Sequence, residues 1–222
     1  MLKSTKAIYF MGTFIGFFYA LSGECVDWQK YVPDMAKKYL PSNESDGSNE
    51  STFYGPVSMQ NKTLKQSLKV MGPLVLSDSE VQGEVKVYGP LSGKSITMDS
   101  LTVQGPADIQ SLKVGDMTIS GPLNINNSLI SGSVIVNGPI NSSNTVFQKE
   151  ISVASKSLTF SNSEIQNLTI KPSTDIMNKP QIVYLKGTTV VSGNITFEEG
   201  NGIIKADKSV VIKGVIKGGT RK

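Results

Sequence analysis

The chain has 222 residues, of which 38% are hydrophobic, 7% aromatic and 18% charged, with a formal net charge of +4. That is enough for one large domain with a real core, and the composition is neither that of a disordered chain nor that of a disulfide-stapled one. There is no histidine, Arg221 is the only arginine and Cys25 the only cysteine, which excludes histidine-based acid–base catalysis, Ser/His triads, His-ligated zinc and arginine clamps on phosphate within one chain.

In chain order, Lys3 and Lys6 precede an apolar run from Ala7 to Leu21, followed by the small residues Ser22 and Gly23. A basic start, a short apolar stretch and a small-residue exit predict a secretory signal peptide over residues 1–24, and the run is shorter than the ~20 residues a membrane-spanning helix prefers. The expected location is secreted or periplasmic, at the cell envelope. Leu21 to Cys25 resembles a lipoprotein box except at Glu24, so membrane contact is expected only if Cys25 is lipidated or the N-terminal run is retained. Residues 25–50 read as a short helix and a polar linker. Asp34 is a plausible N-cap, with Met35, Tyr39 and Leu40 on one apolar face, and Pro41 to Thr52 has linker polarity.

From there a repeat organises the chain. Gly-Pro recurs at Gly55, Gly72, Gly89, Gly105, Gly121 and Gly138, at intervals of 17, 17, 16, 16 and 17 residues. An alternating apolar triplet lies just upstream of most of them, and its last position forms a column: Phe53, Val70, Val87, Val103, Ile119, Val136, Val153 and Ile170. Val191 and Ile212 extend it if the last coils are longer. Alternation places residues i and i+2 on one face. A strand this short cannot bury that face alone, but coils stacked at ~4.8 Å pair every strand and build aliphatic ladders inside. Val57/Met59, Leu74/Leu76, Ile109 and Leu123/Ile125 suit a second side, and Leu64, Val81, Met98, Leu112 and Ile130 a third. The expected fold over residues 51–222 is all-β: a single-domain parallel β-helix of about ten coils, ~45–50 Å long, with two longer C-terminal coils. A right-handed winding is favoured, because a period of 16–17 fits neither the hexapeptide nor the pentapeptide solenoids.

On these ladders, corner glycines and short coils, residues 51–217 resemble the bactofilin-like, polymer-forming β-helices in pattern. The resemblance implies a non-enzymatic rod that self-associates. This chain differs in its regular Gly-Pro corners and its expected export.

Three groups of residues are candidates for binding. A polar stripe lies three residues before the ladder column, with Glu50, Glu84, Asp116 and Glu150 on alternate coils and Ser67, Ser100 and Ser133 between them; Asn167, Thr188 and Ser209 continue it. It could bind sugars or cations, but diluting acids with serine also avoids stacking like charges. Two segments break the period, Pro172 to Lys186 and Phe197 to Ile203, and point to Met177, Tyr184, Glu198 and Glu199 as loop residues. The last apolar stretch places Ile212 and Ile216 at an expected assembly end.

The tail from Lys205 is basic; an anionic surface or glycan could use it, and a solvated end is the plainer explanation. Asn-x-Ser/Thr occurs at Asn43, Asn49, Asn61, Asn126, Asn141, Asn167 and Asn194, which are glycan acceptors only in a eukaryotic secretory pathway. No cofactor, metal or nucleic acid is expected. The sequence reading is an exported structural or interaction protein whose partner is a second copy or another envelope protein. The alternative is an adhesin or glycan-binding module, and a carbohydrate-active enzyme ranks last because coils this short build no groove.

Overall fold

The computed structural model describes residues 50–173 and 180–222. The expected signal peptide, Cys25, the short helix capped by Asp34, most of the linker and Met177 lie outside the described residues. Within them the chain is all β, a parallel solenoid of about ten turns with no helix. The first strand, Glu50–Tyr54, already includes the last residues of the polar stretch read as linker.

Each coil has three sides. The first side carries the ladder column, and the pairing of Glu50–Tyr54 with Ser67–Met71 sets its register, Phe53 opposite Val70. The same register runs through Val87, Val103, Ile119, Val136, Val153 and Ile170. From Val70 to Ile170 these side chains are 1% exposed or less. Burying each Val or Ile stabilises by about 1.5–3 kcal/mol, and no coil obtains that without its neighbours.

Beyond Ile170 the column departs from the expected one. Ile170 pairs with Phe197, not Val191. Val191 pairs with Ile165, and Ile212 with Val191, both on the third side. The reason is the length of the excursion after Lys171, where strand Glu164–Lys171 is followed on the second side only by Ile182–Lys186. Leu168 therefore pairs with Ile195, 27 residues on, and Ile195 with Ile216, 21 residues on. Only the second of the two long coils has the expected length.

The second side stacks Val57, Leu74, Leu91, Ala107, Leu123, Ile140, Leu158, Val183 and Ile204 in one inward column. The neighbouring column passes from Ile125 through Ser142 to Phe160. The small Ser142 leaves room beside the Phe160 ring, which meets Phe147 edge-on with centroids 5.9 Å apart. The third side runs Leu64, Val81, Met98, Val114, Ile130, Phe147, Ile165 and Val191. Val114 takes the place expected for Leu112, which faces inward two residues earlier.

Two of the three corners have a repeating cause. At the Gly-Pro corner a Cβ on Gly105 would lie 2.6 Å from the carbonyl oxygen of Gly89, and one on Gly121 2.5 Å from that of Gly105. Glycine is required because each corner rests on the one before it. Proline follows because its position needs no ladder donor. At the second corner Asn61, Asp78, Ser95, Ser111, Asn127, Asn144 and Asn162 all adopt φ between 47° and 60°, and Gly187 follows with 58°. Asn and Asp tolerate this left-handed conformation better than other side chains, which accounts for their recurrence there.

Just after that corner lies a column of buried hydroxyls: Ser79, Ser128, Thr145, Ser163 and Thr189. Each hydroxyl donates to a carbonyl two or three residues back: Ser79 to Ser77, Ser128 to Asn126, Thr145 to Ser143, Ser163 to Ser161 and Thr189 to Lys186, at 2.6–2.9 Å. Several also accept from a neighbouring coil. The Lys62 N–H donates to Ser79 Oγ, that of Leu112 to Ser128 Oγ, and that of Thr145 to Ser163 Oγ. The turn thus satisfies its backbone inside the core, where an unpaired group costs about 1–3 kcal/mol.

Candidate functional site

The polar stripe lies at the edge of the first side, where the chain enters each strand. Glu50 stands opposite Ser67, Glu84 opposite Ser100, Ser100 opposite Asp116, and Glu150 opposite Asn167. The stripe then continues through Asn194 rather than Thr188, because Leu168 pairs with Ile195. Thr188 sits on the second corner beside Asn162, to which its N–H and hydroxyl both donate. Ser209 donates to the Gly187 carbonyl there.

Most stripe side chains hold the next coil. Ser67 Oγ accepts from the Glu84 N–H, Asp116 Oδ1 from Ser133 at 2.7 Å, Asn167 Oδ1 from Asn194 and Asn194 Oδ1 from Val215. Glu84 and Glu150 accept from the outward hydroxyls of Thr102 and Thr169. Lysines balance the acids of the first coils. Lys69 and Lys86 stack in register on the outer face. Glu50 lies 4.0 Å from Lys69 and 3.8 Å from Lys86, and Glu84 lies 2.9 Å from Lys86. The Glu84 hydrogen bond, against the opposing effect of burial and joined by the charges of Glu84 and Glu50, holds the Lys86 ammonium above its ordinary range. Glu50 and Glu84 are therefore brought together through Lys86, while Asp116 and Glu150 are tied to separate coils.

The loop candidates fall in different places. Tyr184 is not on a loop but faces outward from the middle of strand Ile182–Lys186. Lys186 and Lys205 approach its ring, 6.0 and 5.4 Å from the centroid. Glu198 and Glu199 form the tight turn after Ile195–Phe197, with the Glu198 N–H donating to the Ile170 carbonyl. Met177 lies outside the described residues, and Gln181 anchors the chain where the described residues resume. That residue is 1% exposed, and its side-chain amide donates to the Ser155 and Lys171 carbonyls at 3.1 and 2.8 Å.

At the end where assembly is expected from the sequence, Ile212 and Ile216 are half-buried and pack against the core. Val211 and Val215 project instead, 47% and 59% exposed. Arg221 occupies an inward register position opposite Ile204, the column that elsewhere carries Leu, Val, Ile or Ala. At the opposite edge, Phe53, Val57, Met59 and Leu64 also pack against the core, and Lys62 stands in register with Ser79, on the column that continues inward as Ile96 and Leu112.

Two further features deepen the surface. An exposed column of Tyr54, Met71 and Tyr88 runs beside the first Gly-Pro corners, with Lys69 Nζ 5.9 Å from the Tyr88 centroid. An open groove along the second corner is lined by Ser111, Lys113, Asn127, Leu129 and Asn144. Among the described residues no three His, Cys, Asp or Glu side chains converge as a metal site would require. No protein-family profile, curated protein or solved structure matches the chain.

Proposed function

We propose that this protein is an exported, non-catalytic rod that scaffolds the cell envelope by self-association through the edge of its first coil. The observation that carries the reading is the apolar edge of the first described coil, which has one cation, Lys62, on an inward column, where the last coil has Arg221 within a cluster of lysines. The strands Glu50–Tyr54, Val57–Gln60 and Thr63–Leu64 each pair on one side only among the described residues, over the apolar side chains of Phe53, Val57, Met59 and Leu64. Such an edge is a template for another strand, and a second copy offers the same edge across a two-fold axis. The edge at Ile212 and Ile216 is blunted by Arg221 at an inward position and by the lysines around it, a device that disfavours strand addition. Binding of the stripe acids to threonines, lysines and backbone N–H groups supports a structural role for them. The pattern-level resemblance to bactofilin-like β-helices supports self-association as such, while the single apolar edge sets it to a pair rather than a polymer.

The test is sedimentation velocity on the chain from Val26 onward beside its Met59→Asp and Val211→Asp variants, with circular dichroism to confirm folding. Assembly through the first coil predicts that Met59→Asp alone becomes monomeric. Equal loss in both variants, or in neither, refutes that placement.

One observation favours the glycan-binding reading as a second choice. Tyr184, flanked by Lys186 and Lys205, is an outward aromatic platform with cations at its rim. Retention on an acidic polysaccharide matrix that is lost in Tyr184→Ala would support it, and retention unchanged in that variant would remove it.

A further inference from the structure

The positive charge of this chain is concentrated in one place. Residues 205–222 hold six cations against one acid, whereas residues 50–199 hold eleven cations against twelve acids. The fold distributes the six around the last two coils. Lys205 and Lys222 face outward on the second side, Lys222 following Lys205 through its bond to the Ile204 carbonyl. Lys208 and Lys213 stand at the next two corners, Lys217 faces outward on the first side, and Arg221 sits on the inward column. All six are exposed, and among the described residues none is within ion-pair distance of a carboxylate. Val211 and Val215 project between the lysines.

We infer that the last coils dock, through their open edge, on an anionic lipid surface. A linear polyanion lying along one side would meet two or three of these cations, while a plane of headgroups facing the edge meets the whole ring. The two valines give the contact an apolar component that a soluble polyanion cannot use. Basic clusters of this size are attracted to anionic leaflets, and the attraction falls off within a Debye length. This inference is independent of stacking at the first coil and needs neither lipidation of Cys25 nor a retained N-terminal run.

The experiment is co-sedimentation of the chain from Val26 onward with phosphatidylcholine vesicles, either pure or holding about 30% phosphatidylglycerol, at low salt and at about 1 M salt. Binding at least roughly tenfold tighter to the anionic vesicles, abolished by high salt, is expected. The variant Lys208→Glu/Lys213→Glu/Lys217→Glu should lose it, and Val211→Ser/Val215→Ser should weaken it. These positions are exposed, so both variants keep the core, and circular dichroism checks this. Equal binding to neutral vesicles, no binding at low salt, or unchanged binding by the charge-reversed chain overturns the inference. So does polygalacturonate competing at equal charge concentration while the valine variant binds as the wild type does, because the site then recognises any polyanion.

Discussion

A Cβ at Gly105 would lie 2.6 Å from the Gly89 carbonyl oxygen, whereas one at Gly55, the first corner, would meet nothing within 4 Å. Gly105→Ala must therefore move two coils apart, a cost of about 1–3 kcal/mol. Gly55→Ala carries only the left-handed backbone penalty of about 1–2 kcal/mol at its φ of 86°. Urea unfolding of the two variants should show the larger loss at Gly105, and equal losses would mean that stacking does not select the glycine. Ser163→Ala removes the acceptor of the buried Thr145 N–H and should cost about 1–3 kcal/mol. A value near zero would show that water or a shifted backbone satisfies that group. Lys86 adds a pH dependence. Its folded pKa is raised above 10.5 by Glu84 and Glu50, so its stabilisation is present below that value and lost as pH rises through the folded pKa. The difference in melting temperature between the wild type and Lys86→Met should therefore shrink from about pH 9 to about pH 12. A constant difference would assign the effect of Lys86 to packing.

At the scale of elements, the inward columns explain what could be read without coordinates. From Phe53 to Ile170 the coil length varies by only one residue, so period-two alternation and the Gly-Pro marker fix the register unambiguously. After Lys171 the sequence leaves the regular period, and both Val190-Val191 and Ile195–Phe197 offer apolar alternation. Spacing favoured the nearer pair, but the chain places it on the third side. The buried hydroxyls escaped for a different reason, because Ser and Thr in a solenoid read as outward residues. Their signal was a recurring pair, Asp78-Ser79, Asn127-Ser128, Asn144-Thr145 and Asn162-Ser163, at the coil period. A left-handed residue followed by a hydroxyl marks the second corner. The polar stripe was legible in position but not in role, since alternation shows where a side chain points and not which N–H it accepts from. Arg221 offers a test at this scale. Arg221→Leu restores an apolar inward column on the last coil and should produce association through that edge, seen as a larger sedimentation coefficient. An unchanged coefficient would mean that the lysines suffice to blunt it.

At the scale of the whole described solenoid, the nearly uniform sides leave its first and last coils as the places where it differs most from itself. The first coil keeps Phe53, Val57, Met59 and Leu64 against the core, while the last coil ends on an exposed Arg221 among lysines. If the first coils pair as proposed, the product is a closed dimer rather than an open filament, because a two-fold contact uses up the edge that forms it. In such a dimer both basic last coils would face outward and could meet two anionic surfaces. The most direct measurement is the mass of the chain from Val26 onward by light scattering across a wide concentration range, with negative-stain images of the same sample. Pairing of first coils predicts a monomer–dimer equilibrium, with particles of two lengths in the images. A monomer at every concentration, or filaments that lengthen without limit, would contradict it.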